Sequence, residues 1–398
     1  MEARFFLNHR GDRKDEAARP ARAPIDFHRR LPGYEPTPLH NAPELARLLE
    51  IGQVLVKDES RRLELPAFKI LGASWATYRA LEARLQRSLE PWHSLDELVA
   101  RLASVKPLTL ATATDGNHGR AVAHVAALFG FAARIFVPAG TARARIEAIA
   151  GEGACVEVVE GSYDDAVERA AREASDRCLV VSDTSWAGYE QIPQWVMEGY
   201  STVLWEIDEE LQRRGERDPD LFAVPFGVGA LAAAVVRHYR APAREQRTEI
   251  LSVEPLSAAC MFASMEAGEI VTVPGPHQSI MAGLNCGQPS MIAWPIVSIG
   301  IDAFVAIPDD RAREAMRALA RIGIVAGETG AASLAGLLEL LTGSENDRYR
   351  EVLGITERSR ALIIVTEGAT DPESYQRIIG QLNRRRTIND RECGRSAR

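Results

Sequence analysis

Phe222-Ala-Val-Pro-Phe-Gly227-Val-Gly229-Ala230-Leu231-Ala232 passes from an apolar, β-branched run through two glycines into an alanine-rich helical pattern that continues to about Tyr239. A strand that ends in a glycine turn and opens a helix is the first half of a βαβ unit. The unpaired N–H groups and positive dipole end of such a helix suit an anion. Three readings of the turn stand open on these residues alone: a phosphate cradle, glycines that serve only the turn, and a dinucleotide fingerprint. In the last, Glu254, closing the next strand, would be the ribose-binding acid of a nicotinamide-dependent dehydrogenase.

Outward from this stretch the same alternation recurs. Val54–Lys57, Leu108–Ala111, Ile135–Pro138, Val156–Val159, Leu179–Ser182, Phe222–Pro225, Ile250–Glu254, Phe304–Ile307 and Leu362–Thr366 read as short strands, separated by helical stretches such as Gly119–Phe129 and Tyr163–Ala174. This grammar predicts an α/β fold of open, mostly parallel twisted sheets covered by helices, with ligands held outside the carboxyl ends of the strands. Four of the strands crowd between Pro107 and Asp183, which reads as a compact subdomain. Charged Asp208–Asp220 reads as a surface connection rather than core.

At 398 residues the chain is long enough for two domains. Its 46% apolar and 26% charged residues are the balance of an ordinary globular protein. A net charge of -8 argues against a nucleic-acid or anionic-membrane surface, which needs concentrated Lys and Arg. Met1 to Pro24 is studded with charge and has no apolar leader core, and no later run is long enough to cross a bilayer. A cytoplasmic protein with small-molecule partners is expected. Five cysteines without CxxC spacing indicate neither a metal site nor a secreted disulfide framework.

The chain has only four lysines, Lys14, Lys57, Lys69 and Lys106, among 47 basic residues. Where a plain positive charge serves, this sequence uses arginine; a Schiff base demands a primary amine, which a guanidinium cannot supply. Lys69 sits in Leu65-Pro-Ala-Phe68-Lys69-Ile-Leu-Gly72-Ala73, where apolar shelter is expected to lower its pKa and leave a neutral nucleophile. A lysine snorkelling from a helix end is the plainer alternative. Thr112-Ala-Thr114-Asp115-Gly116-Asn117-His118-Gly119-Arg120 follows a strand and opens a helix, bringing an acid, an amide and a hydroxyl to a sheet's carboxyl end; turn chemistry alone also explains it. Asp183, in Val181-Ser-Asp183-Thr-Ser-Trp186, lies at another strand end and could equally be a helix cap.

The order of these segments resembles the fold-type II pyridoxal-phosphate (PLP) enzymes, the group of tryptophan synthase β and the serine/threonine dehydratases. Within it the chain resembles the diaminopropionate ammonia-lyases from about Lys57 to Tyr375. Lys57-Asp-Glu-Ser60, Ala67-Phe-Lys69, Thr114 to Arg120 and Asp183-Thr-Ser-Trp186 carry that resemblance, with Ser279-Ile-Met-Ala-Gly-Leu284, Cys286-Gly287, Thr366-Glu-Gly368 and Thr370-Asp-Pro372 further on. The aspartate before Gly-Asn-His sets it apart from plain dehydratases.

The resemblance implies two sheet domains with PLP in the cleft between them, a large domain of 25–78 and 203–385 and a small one of 79–202, and a homodimeric assembly; the ends, 1–24 and 386–398, are expected from their own sequence to be flexible. It implies that Lys69 condenses with the cofactor's aldehyde, that Asn117 bonds its phenolic oxygen and that Phe68 packs near the ring. Gly227, Val228, Gly229, Ala230 and Leu231 would hold the phosphate by backbone N–H groups, and Thr366 would face the pyridine nitrogen. The reaction implied is loss of ammonia from D- and L-2,3-diaminopropionate, with Lys69 and Asp115 as bases for the L and D isomers and Asp183 on the distal ammonium; a serine/threonine dehydratase-like elimination is the alternative. Some relatives place a disulfide where Cys260 and Cys286 fall, against which a reducing cytosol argues. Phe226 and the alanine-rich continuation of the glycine loop depart from the group's usual form.

Overall fold

The nine runs picked out by apolar pattern are all strands, and two more join them. In the computed structural model, which describes residues 2–9, 20–242, 244 and 246–380, the strands are β1 (Arg4–Leu7), β2 (Leu39–Asn41), β3 (Gln53–Asp58), β4 (Thr109–Ala113), β5 (Ala132–Pro138), β6 (Cys155–Val159), β7 (Cys178–Val180), β8 (Leu221–Pro225), β9 (Glu249–Pro255), β10 (Ala303–Ile307) and β11 (Arg360–Val365). One sheet has the order β1-β10-β9-β8-β11-β3-β2 and the other β6-β5-β4-β7. Every pairing is parallel except at the two edges of the larger sheet, where β1 runs against β10 and β2 against β3.

Strands buried on both faces read as continuous apolar runs, and β8 and β11 at the centre of the large sheet are buried at every residue. Period-two alternation sorts their side chains between two cores. Phe222, Val224, Leu362 and Ile364 face a core shared with the Ala230–Tyr239 helix, while Leu221, Ala223 and Ile363 face the one filled by Ala332–Thr342.

Two helices hold the sheets in register with each other. Lys69–Leu85 and Gln191–Arg214 cross so closely that a methyl on Gly72 would meet the Tyr200 ring at 2.5 Å and one on Gly199 would meet the Leu71 carbonyl oxygen at 2.4 Å. Beside the crossing lies a sealed ionic cluster. Lys57 Nζ is 2.6 Å from Glu206, and Arg62 is 2.7 Å from Glu206 and 2.6 Å from Glu59, all four side chains at 1% exposure or less.

Two expectations need correcting. Asp208–Arg214 is not a connection but the end of the Gln191–Arg214 helix, whose Asp208 pairs with Arg244 at 2.6 Å and His238 at 2.9 Å. Its charges misled because their partners lie elsewhere in the fold or one turn along the helix: Glu209 pairs with Arg29 at 2.6 Å and Glu210 with Arg214 at 2.7 Å. Nor is the stretch before Pro24 wholly outside the fold: Arg4–Leu7 is an edge strand, and Pro24 lies in the Ala23–His28 helix. Strands of three or four residues with an exposed face carry too little apolar periodicity to stand out. The end expected at 386–398 lies outside the described residues.

Candidate active site

Strands β3, β11 and β8 are neighbours in the large sheet, and the loops leaving their carboxyl ends lead to Lys69, Thr366 and the Gly227–Gly229 turn. In the small sheet β4 and β7 are neighbours, and their carboxyl ends lead to Asp115 and Asp183. The two sets of ends face one another across a cleft of about 740 Å³, open mouth included. Every residue that the resemblance assigns to cofactor or substrate, Phe68, Lys69, Asp115, Asn117, Asp183, Gly227 to Leu231 and Thr366, lines this one cleft.

Lys69 is the first residue of its helix and Phe68 the cap. Its amine donates to Asp183 Oδ2 at 2.7 Å and lies over the Phe68 and Tyr200 rings, 5.6 and 5.9 Å from their centroids. The expected neutral amine is not what this arrangement gives. Burial pulls the lysine pKa down, but the charge and hydrogen bond of Asp183 outweigh it and raise the pKa above its ordinary value. Asp183 is in turn held ionised: burial opposes its charge, and Lys69, His118 and the Tyr163 hydroxyl, 3.2 Å from Oδ1, more than offset that. Asp183 therefore caps no helix.

Asp115 has the opposite setting. Burial pushes its carboxyl up to about 6, only partly countered by the Arg145 and Lys69 charges. Its loop is built by Thr114, whose hydroxyl accepts from Gly116 N at 2.9 Å and Gly119 N at 3.0 Å. Gly119 has no room for a side chain, since a Cβ would lie 2.2 Å from Thr114 Cγ2. Asn117 opens the following helix and donates to Glu367.

At the glycine turn, Gly229 is left-handed at φ +98° and caps the Ala230–Tyr239 helix. A Cβ on Gly227 would lie 2.9 Å from the Gly283 carbonyl. The N–H groups of Gly227, Val228 and Gly229 donate no hydrogen bond among the described residues, and those of Ala230 and Leu231 begin the helix, where no intrahelical acceptor exists. Five converging donors beside a primary amine fit a phosphorylated aldehyde. The dinucleotide reading fails on Glu254, whose carboxylate accepts from Met261 N and Phe262 N at 2.8 Å each, buried at a helix start away from the cleft. Thr366 is buried, its hydroxyl 3.5 Å from the Thr329 carbonyl. Cys260 and Cys286 are free thiols on either side of Gly227: Cys260 Sγ is 3.7 Å from the Gly227 carbonyl, and Cys286 Sγ is 3.4 Å from the place of a Gly227 Cβ.

Tyr163, Glu367 and His118 line the same cleft without having been assigned a role from the sequence. His118 was visible only as part of a motif, and Tyr163 reaches the cleft from a helix start whose sequence, Ser162 followed by two aspartates, signals a cap and nothing more.

Such a cradle between two mostly parallel sheets accords with the family to which the chain belongs, described as pyridoxal-phosphate dependent enzymes, whose model matches residues 30–357. Among curated relatives, it is 36% identical over 368 residues to the diaminopropionate ammonia-lyase of Salmonella typhimurium, covering 89% of this chain and 90% of the relative. It superposes on the crystal structure of diaminopropionate ammonia-lyase from Escherichia coli in complex with D-serine with a TM-score of 0.87 and 33% identity, over 95% of this chain and 97% of the other. Maize serine racemase, at 22% identity and a TM-score of 0.69 over 93% of this chain and 99% of that one, shares the fold.

Proposed function

We propose that this PLP-dependent carbon–nitrogen lyase removes ammonia from 2,3-diaminopropionate of either configuration, yielding pyruvate and two molecules of ammonia once water has been taken up. The observation that carries the reading is the convergence of one amine and two unlike carboxylates on a single cleft: Lys69 bonded to Asp183 at 2.7 Å, with Asp115 facing them. Bound PLP supplies the electron withdrawal that makes the substrate's α-proton acidic.

The chain supplies the rest. Lys69 Nζ holds the cofactor and then takes the α-proton of the L isomer. Asp115, with its carboxyl near 6, is ionised at neutral pH yet basic enough to take the α-proton of the D isomer from the opposite side. Asp183, held ionised, pairs with the substrate's distal ammonium. A neutral hydroxyl gains little from that charge, so the diamine is preferred over serine. Phe68 packs near the ring, Asn117 serves the phenolic oxygen, the N–H groups of Gly227 to Leu231 bind the phosphate, and the Thr366 hydroxyl faces the pyridine nitrogen. A neutral partner there leaves the ring a weaker electron sink, which favours prompt elimination.

The same reading takes 25–78 with 203–385 as the cofactor domain and 79–202 as the smaller one, in line with the strands each range contributes to the two sheets. It places a homodimer in the cytoplasm; no helix among the described residues is long and apolar enough to cross a membrane. A pyruvate assay across D- and L-diaminopropionate, serine and threonine tests it. Turnover of both diaminopropionate isomers well above the hydroxyamino acids is expected; preference for serine or threonine makes the chain a dehydratase instead.

A further inference from the structure

One cation beside the cleft has no assigned task. Arg145, in the Arg143–Gly151 helix of the small sheet's domain, is half-buried and forms no ion pair among the described residues. Its side chain lies against the turn that carries Asp115: Cδ is 3.0 Å, Cγ 3.6 Å and Nε 3.7 Å from the place a Cβ would take on Gly116. Gly116 has φ +155° and ψ -80°, a shape that suits glycine, so backbone geometry and the lack of a side chain together let the arginine come this near. We propose that Arg145 is a positioning residue for Asp115, its side chain laid against the Gly116 turn so that its charge keeps the carboxylate aimed at the cleft.

The groups that face Asp115 make Arg145 the cation able to do this. Lys69, Asp183, Tyr163, Cys286 and Glu367 line the same cleft. The acids among them, Asp183 and Glu367, oppose a second negative charge there. Lys69 is the other cation, but its charge is already matched by Asp183 at 2.7 Å. An arginine keeps its charge at every stage of a reaction, whereas a lysine that carries a cofactor does not. After burial, which raises the Asp115 pKa, the Arg145 charge is the strongest influence on it and acts to lower it, ahead of Lys69.

This inference rests on the proposed role of Asp115 as base for the D isomer, and its test separates the two. Arg145→Gln and Arg145→Lys are compared with the parent enzyme by kcat/KM against pH for each isomer. Arg145→Gln is expected to move the acid limb for D-diaminopropionate upward by about one pH unit, a tenfold loss below the limb, and to leave the L limb in place. Arg145→Lys should restore most of the shift. Independently, infrared titration of the Asp115 carboxyl in the cofactor-free protein, identified by difference from Asp115→Asn, should move the same way. A D limb and a carboxyl titration that stay put in Arg145→Gln overturn the inference, as does an equal displacement of both isomers' limbs. If Asp115→Asn harms both isomers equally, the two-base reading fails, while the infrared titration still decides what Arg145 does.

Discussion

Lys57 and Lys69 show why titration alone does not pick out the lysine proposed to hold the cofactor. Lys57 has its pKa lowered by burial, as a nucleophile's should be, yet it is sealed at 1% exposure against Glu206 and does not line the cleft. Lys69 has its pKa raised by Asp183 but stands at the cleft. Only a neutral amine condenses with an aldehyde, so on the proposed reading Asp183 is expected to slow cofactor loading at the pH where it favours turnover. In Asp183→Asn the charge that raises the Lys69 pKa is gone, and its loading profile should shift to lower pH. Stopped-flow absorbance on apo-protein mixed with PLP should show faster loading at neutral pH, while diaminopropionate turnover drops for want of a partner to the distal ammonium. Slower loading would show that Asp183 does not hold the Lys69 proton. For Asp115→Asn, losing a general base is expected to cost about 10²- to 10⁴-fold with the D isomer and far less with the L isomer; equal losses contradict the assignment of separate bases.

At the scale of elements, the crossing of Lys69–Leu85 with Gln191–Arg214 fixes where the amine stands. Gly199→Ala puts a methyl 2.4 Å from the Leu71 carbonyl and 2.9 Å from Gly72 Cα, backbone atoms that cannot step aside. Overpacking of this kind costs roughly 1–3 kcal/mol, and here it also pushes the helix that begins at Lys69. Urea unfolding should show the lower midpoint, and the cofactor absorbance should weaken. Gly151→Ala is the control: nothing lies within 4 Å of its Cβ position, and that variant should unfold no earlier than the parent. The central elements were legible because nearly every residue of a doubly covered strand is apolar, as in β8 and β11. Edge strands β1 and β2 were not, and the last turns of Gln191–Arg214 looked like loop, because the partners that satisfy Asp208 lie 30 and 36 residues away in the chain.

For the whole molecule, the sealed cluster of Lys57, Glu59, Arg62 and Glu206 ties β3 to the long helix that leads back from the small sheet. Burial opposes the Glu206 charge, but Arg62 and Lys57 bring its pKa down to about 2. A carboxyl whose folded pKa lies below its unfolded value stabilises the fold above the unfolded value, and that stability is lost as pH falls through the folded one. Glu206→Gln should cost about 3–5 kcal/mol at neutral pH by leaving buried cations uncompensated, and it should flatten the fall in stability between about pH 4.5 and 2. Urea midpoints measured across that range check both, and an unchanged acid limb would show that Glu206 does not carry it. The sequence by itself determined the class of fold and singled out Lys69 and the loops that line its cleft, because apolar period, glycine turns and the scarcity of lysine are local properties of a chain. Only the tertiary structure decided that Lys69 is charged by Asp183, that Asp115 is held near 6, that Glu254 serves a helix rather than a ribose, and that Arg145 backs the Asp115 turn. Each of those depends on which groups meet across the cleft and how much water they lose there, and neither is written in any single stretch of residues.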